Sequence, residues 1–152
     1  MTVIDVDAGS VRELIGRWWC NYDEGSFERF PEFFTSDAHF TCRTDTGTTG
    51  YEEFVRADVH GRDAVIGWQV DHRSNSPYPL RHHGTNIHLV EVRDDQADFE
   101  SYILVTQIAG GVSLLSTAIV TGTVRVEDGM LRIAALHVVL DTVESVVFSQ
   151  RV

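Results

Sequence analysis

Pro79-Leu80-Arg81-His82-His83-Gly84-Thr85-Asn86-Ile87-His88, residues 79–88, is where the chain changes character. Before it, apolar residues recur at helical spacing; from Leu80 onward come four long runs rich in β-branched residues. Compact turns at Asp94-Asp95, Gly110-Gly111 and Glu127-Asp128-Gly129 separate the runs, which predicts an antiparallel meander of long strands. Both faces of these runs are apolar: Leu115 and Ile119 alternate with Leu114, Ala118 and Val120. A sheet with one wet face does not carry that pattern, so one face is expected to take helices and the other a second subunit.

Upstream, Ser10-Val11-Arg12-Glu13 has the form of a capping box. Val11, Leu14, Ile15, Trp18 and Tyr22 then follow as one helical stripe, with Gly25 as the stop. Phe27, Phe30, Phe33 and Phe34 predict a second helix over 26–34, opened or kinked at Pro31. Asp37 to Arg43 alternates as a short strand, Thr44 to Gly50 is turn chemistry, and Tyr51 to Val59 fits either a short strand or a helical turn. Gly61-Arg62-Asp63 opens a third helix that carries Val65, Ile66, Gln69, Val70 and Arg73 to Ser74, ahead of Ser76-Pro77-Tyr78-Pro79. About three N-terminal helices followed by a strongly curved, mostly antiparallel sheet make an α+β layout with a pocket between them. The whole chain is expected to be a single domain, with its core at about residues 10–143.

The 152 residues carry a formal net charge of −11, which repels phosphate backbones and anionic lipid surfaces. No nucleic-acid or membrane partner is therefore expected, and no apolar run approaches the roughly 20 residues that span a bilayer. Met1 to Asp7 lacks a basic stretch followed by an apolar one, so no leader is expected. Cys20 and Cys42 lack metal-ligand spacing and are expected to be free thiols in a reducing cytoplasm. Dinucleotide, phosphate-loop and serine-hydrolase signatures are absent, so nucleotide cofactors and acyl-enzyme chemistry have no support. A metal needs three or four converging ligands, and strand alternation sends His82 and His83 to opposite faces. No metal and no cofactor are expected.

The chemistry concentrates in residues 82–88. If His82 faces the concave side, Gly84, Asn86 and His88 share that face; a bulge would bring His83 there instead. An imidazole titrates near neutral pH and makes a natural general base once a carboxylate fixes its tautomer. Asp23, at the end of the first helix beside Tyr22, is the candidate carboxylate; the bland reading is an exposed acid near a helix end. His137 and His88, on long strands, could border the cavity, and Trp18, Phe40 and Tyr102 are either core or lining. His39 and His60 are expected to be solvated, and His72 suits the negative end of its helix.

Asn21-Tyr22-Asp23-Glu24-Gly25, the phenylalanine-rich second segment, Thr35-Ser36-Asp37-Ala38-His39-Phe40 and Arg81-His82-His83-Gly84-Thr85-Asn86 together resemble the SnoaL-like branch of the nuclear transport factor two-like superfamily. The resemblance runs from about Val11 to Asp141. It implies a cone-shaped α+β barrel with a deep, mostly apolar pocket, assembled as a homodimer through the sheet face or as a trimer. By motif it is similar to scytalone dehydratase, hexachlorocyclohexane dehydrochlorinase and bile acid dehydratase. It implies a cofactor-independent lyase or isomerase for a small hydrophobic substrate. His82 would be the base, Asp23 its partner and Tyr22 a catalytic neighbour, with Asn86, His83, Trp18, Phe40, Tyr102 and His137 as substrate-binding candidates. The second histidine and the asparagine of scytalone dehydratase fall near Thr106 or Ile108 and near Thr121, so its full set is not reproduced. The small subunit of ring-hydroxylating dioxygenases shares the resemblance, which keeps a non-catalytic binding or structural role open.

Overall fold

The structure, a computed structural model, describes residues 5–108, 111, 113–142 and 147–150, the side chains of 113–115 and 150 excepted. The first helix, α1, spans Ala8–Glu24 and starts earlier than expected, because Asp7 and not Ser10 is its N-cap. Asp7 Oδ1 accepts from the Ser10 backbone N–H at 2.7 Å, and Ser10 Oγ accepts from the Asp7 N–H at 3.1 Å. The reciprocal pair is a capping box with serine in the returning role. At the other end Gly25 adopts φ 68°, a conformation that a Cβ would strain. Its N–H donates to Tyr22 O at 3.2 Å and that of Ser26 to Asn21 O at 2.9 Å, closing a Schellman motif. The sharp stop leaves Asp23 in the last turn.

The second helix is a 3₁₀ turn, Phe27–Glu32, with Pro31 inside it. So short an element has little hydrogen-bond ladder for proline to interrupt. Phe30, Phe33 and Phe34 plug into the core. Strand β1 is Phe34–Thr44, and the ambiguous segment after it holds both a helical turn, α2 at Glu52–Val55, and a strand, β2 at Ala57–His60. Helix α3 is Arg62–Ser74. The long strands are β3, Leu80–Arg93; β4, Gln96–Gln107; β5, Ser113–Glu127; and β6, Met130–Leu140.

They form one six-stranded sheet in the order β2-β1-β6-β5-β4-β3, antiparallel at every junction except the parallel β1–β6 pair. The chain is thus α+β with a curved, unclosed sheet. Asp94-Asp95 joins β3 to β4, and Asp128 and Gly129, at φ 54° and 71°, make the primed turn between β5 and β6. Gly110 and the side chains of Leu114 and Leu115 lie outside the described residues. Downstream of them, Ala118 and Val120 are buried, whereas Ile119, on the opposite face, is half-buried. Helix α1 packs over β3 and α3 over β1, on the same face of the sheet. Val11, Trp18, Phe30, Val65, Phe99 and Ile133 fill the space between the layers. Among the described residues no helix is long and apolar enough to cross a membrane.

One glycine sets the closeness of that packing. Gly122 on β5 stands opposite Phe99 on β4, and a Cβ there would lie 2.6 Å from the Phe99 ring and 2.7 Å from the Ala135 carbonyl oxygen. Backbone on one side and a fully buried ring on the other leave no room to yield. Gly122→Ala is expected to lower the unfolding free energy by about 1–3 kcal/mol, read as a shift in urea midpoint without a change of slope.

Candidate active site

A carboxylate in the last turn of a helix faces the negative end of the helix dipole and needs compensation. Asp23 receives it from β3. Its Oδ2 accepts the backbone N–H of His82 at 2.8 Å, and its Oδ1 lies 2.6 Å from His82 Nδ1. Since a carboxylate accepts, Nδ1 of His82 donates to it, and in the neutral ring this places the lone pair on Nε2. Both side chains are largely buried, 7% exposed for Asp23 and 13% for His82. The buried Arg73 of α3 completes the arrangement, donating from Nε and Nη2 to the Asp23 backbone carbonyl at 3.1 and 2.8 Å. Its guanidinium therefore satisfies a helix-end carbonyl and brings positive charge beside the acid.

The imidazole of His82 is clamped by aromatic rings from α1. Trp19 stacks on it at 4.3 Å with planes 3° apart, and Tyr22 meets it edge-on at 5.3 Å. On one side of this stack opens a cavity of about 400 Å³, bounded by α1, α3 and the inner face of the sheet. Trp18 and Phe40 line it together with Tyr22 and His82. Most of the remaining wall is aromatic or aliphatic, including Trp68, Ile103 and Val138.

Polar groups in this wall are few and placed. Burial raises the Tyr22 hydroxyl well above its ordinary value, so it remains a donor at neutral pH. Gln69 is buried, and its Oε1 accepts from the indole N–H of Trp18 at 3.2 Å. An indole N–H can only donate, which fixes the amide orientation. The Gln69 Nε2 is then left buried without a partner among the described residues, in a side chain that borders the cavity. His72, also in the wall, stacks on Trp68 at 4.7 Å and donates from Nδ1 to Phe54 O at 3.1 Å. Burial lowers its pKa, which favours the neutral ring. Cys42 lines the cavity too, but burial pushes its thiol up to about 12, so it is no thiolate nucleophile.

Five expected lining residues lie outside the wall of this cavity, among them His88, which is 60% exposed beside Glu100. His83 points to the outer face, exposed, with its Nε2 3.1 Å from Thr106 Oγ1. Tyr102 is on the same outer face and 53% exposed, and His137 is there beside Thr41. Asn86 lies outside the cavity wall for a different reason. The β3–β4 register shifts between Thr85 and His88, and Asn86 takes φ 55°. Strict alternation breaks at this bulge, and Asn86 borders a second groove with Arg12 and Ile87, one that shares Trp19 and His82 with the cavity. The important residues missed by sequence reading are Gln69, His72 and Arg73. A signal existed: Val65, Gln69 and Arg73 follow at i, i+4 and i+8, so two polar residues share the buried stripe of α3.

Paired helices over a curved sheet, with a carboxylate–imidazole pair in the wall of an apolar cavity, define an α+β fold with a cavity between its layers. The chain belongs to the SnoaL-like domain family, whose pattern matches residues 6–137. No curated protein matches the sequence significantly. Among solved structures, a Nostoc punctiforme protein of unknown function with a cystatin-like fold superposes with TM-score 0.72 at 18% identity, covering 94% of this chain and 97% of that one. A proposed scytalone dehydratase from Novosphingobium aromaticivorans gives TM-score 0.68 at 15% identity, covering 88% and 83%. The β subunit of a proposed aromatic-ring-hydroxylating dioxygenase from the same organism gives 0.70 at 15%, covering 90% of each chain. At such identities the likeness is one of fold.

Removing the Asp23 carboxylate strands two donors, the His82 N–H and Nδ1–H. Each buried donor without a partner costs about 1–3 kcal/mol, so Asp23→Ala is expected to destabilise the fold by about 2 kcal/mol or more despite the relief of the helix dipole. Chemical denaturation checks this directly; an unchanged midpoint would show that the pair carries no structural weight.

Proposed function

We propose that the protein is a cofactor-independent lyase or isomerase of the dehydratase or cyclase type, acting on a small hydrophobic, cyclic substrate. The observation that carries this reading is the Asp23-held imidazole of His82 in the wall of an otherwise apolar cavity. A volume of about 400 Å³ falls within the range of about 300–1,000 Å³ usual for small-molecule sites. With Nδ1–H committed to Asp23, Nε2 of His82 takes a proton from a carbon next to a carbonyl-type group. The imidazolium that results is neutralised by the Asp23 carboxylate and lies against the face of Trp19, whose ring quadrupole attracts cations. Negative charge gathering on the substrate oxygen is met by the hydroxyl of Tyr22 and, once its side chain turns to the cavity, by an Nε2–H of Gln69, which has no partner among the described residues. The same proton on Nε2 then returns either to a departing oxygen, completing an elimination, or to another carbon, completing an isomerisation.

The likeness to a dioxygenase β subunit supports a second reading, a binding or structural module in which these groups only orient a guest. Turnover of small cyclic ketones carrying a β-leaving group separates the two. His82→Ala is expected to lower kcat by about 10²–10⁴-fold with the fold retained. Gln69→Leu is expected to lower it by about 10²–10³-fold, the usual cost of losing one donor to a developing oxyanion. Full activity in a folded His82→Ala protein ends the base assignment. A ligand that binds the cavity and is recovered chemically unchanged by mass spectrometry favours the module.

A further inference from the structure

The outer face of the sheet carries a histidine cluster that the cavity does not use. At the β2 edge, antiparallel pairing sets His39 opposite His60 and Thr41 opposite Asp58, and on the far side of β1 the parallel β6 sets His137 opposite Thr41. Alternation puts these residues on one face, while Phe40 and Val138 between them turn to the cavity. The polar ends converge. His39 Nε2 lies 2.8 Å and His60 Nε2 3.5 Å from the same oxygen, Asp58 Oδ1. The two imidazoles stack at 3.8 Å, and His137, held by Thr41 Oγ1 at 2.7 Å, abuts His39 edge-on at 5.2 Å.

We propose that His39, Asp58 and His60 form a binding site for a divalent transition-metal ion of the zinc type. Their three donor atoms lie within 4.8 Å of one another. Tetrahedral bonds of about 2.0–2.1 Å hold neighbouring ligand atoms roughly 3.4 Å apart, and the 2.8 and 3.5 Å separations bracket that value. Two imidazole nitrogens and one carboxylate oxygen suit zinc and its first-row neighbours; calcium and magnesium ask for more oxygen ligands than the cluster offers. Stacked rings cannot both aim an in-plane lone pair at one ion, so binding splays them. The ring of His60, 71% exposed on an edge strand, is free to turn. Three protein ligands leave a solvent-facing position for water, and the net charge of −11 favours cations at the surface.

The ligands come from two strands, so the ion bridges β1 to the edge strand β2, which has no other neighbour in the sheet among the described residues. It sits across the sheet from the cavity and acts on the stability of that edge, not on the reaction proposed above. The signal escapes a motif search because only Asp58 and His60 are near in sequence; His39 joins them through strand register.

The test is calorimetric titration of the chelator-treated, metal-free full-length protein with Zn²⁺, with Co²⁺ as a spectroscopic substitute. One ion per chain is expected, with the visible absorption of Co²⁺ bound by nitrogen and oxygen, and a melting temperature that rises with added Zn²⁺. Asp58→Asn and His60→Gln, both at exposed positions, are each expected to weaken binding at least tenfold and to abolish the thermal shift. His82→Ala is expected to bind as the parent does. The proposal is overturned by absence of saturable binding, by parental affinity in both outer-face variants, or by loss of binding in His82→Ala.

Discussion

The Asp23–His82 pair is the contact through which the two layers of the molecule are set against each other. An acid at the C-terminal end of α1 is unfavourable alone, because the helix dipole and burial both oppose its charge. The backbone and ring N–H groups of His82 answer it from β3, and Arg73 answers the adjacent carbonyl from α3. Three elements distant in sequence therefore meet at one residue. Satisfying a buried charge tolerates little displacement, so the pair aligns α1 with the sheet as well as holding an imidazole in one tautomer. Stability and the candidate chemistry rest on the same hydrogen bonds.

Around that pair the cavity is built by subtraction. Trp18, Trp19, Phe40 and Trp68 are large enough to prop the helices off the sheet, yet their rings brace one another and leave a void of about 400 Å³. Within this wall the Nε2 of Gln69 stands out, since it is buried without a partner among the described residues, which is costly. In the reading proposed above, a substrate oxygen supplies its acceptor.

The two faces of the sheet divide the histidines by role. His82 and His72 belong to the cavity side, shielded and ring-stacked, whereas His39, His60, His83 and His137 lie on the outer side. On β3 a shift of one residue in register would send His82 to the outer face and His83 to the cavity.

Local patterns in the sequence sufficed for much of the architecture. Helical stripes in 11–22 and 65–73, the β-branched runs after Leu80 and the turn at Asp128-Gly129 each reflect a period or a backbone preference carried by neighbouring residues. The alternation that set His82 apart from His83 is of this kind, as is the helix stop that leaves Asp23 at an end. Tertiary structure alone decided the rest. The bulge at Asn86 depends on pairing with β4, the orphaned amide of Gln69 on the indole of Trp18, and the cluster of His39, Asp58 and His60 on how β2 lies along β1. These contacts join residues far apart along the chain, and no local propensity encodes them; they follow from how the whole chain buries its apolar surface and satisfies its buried polar groups at once.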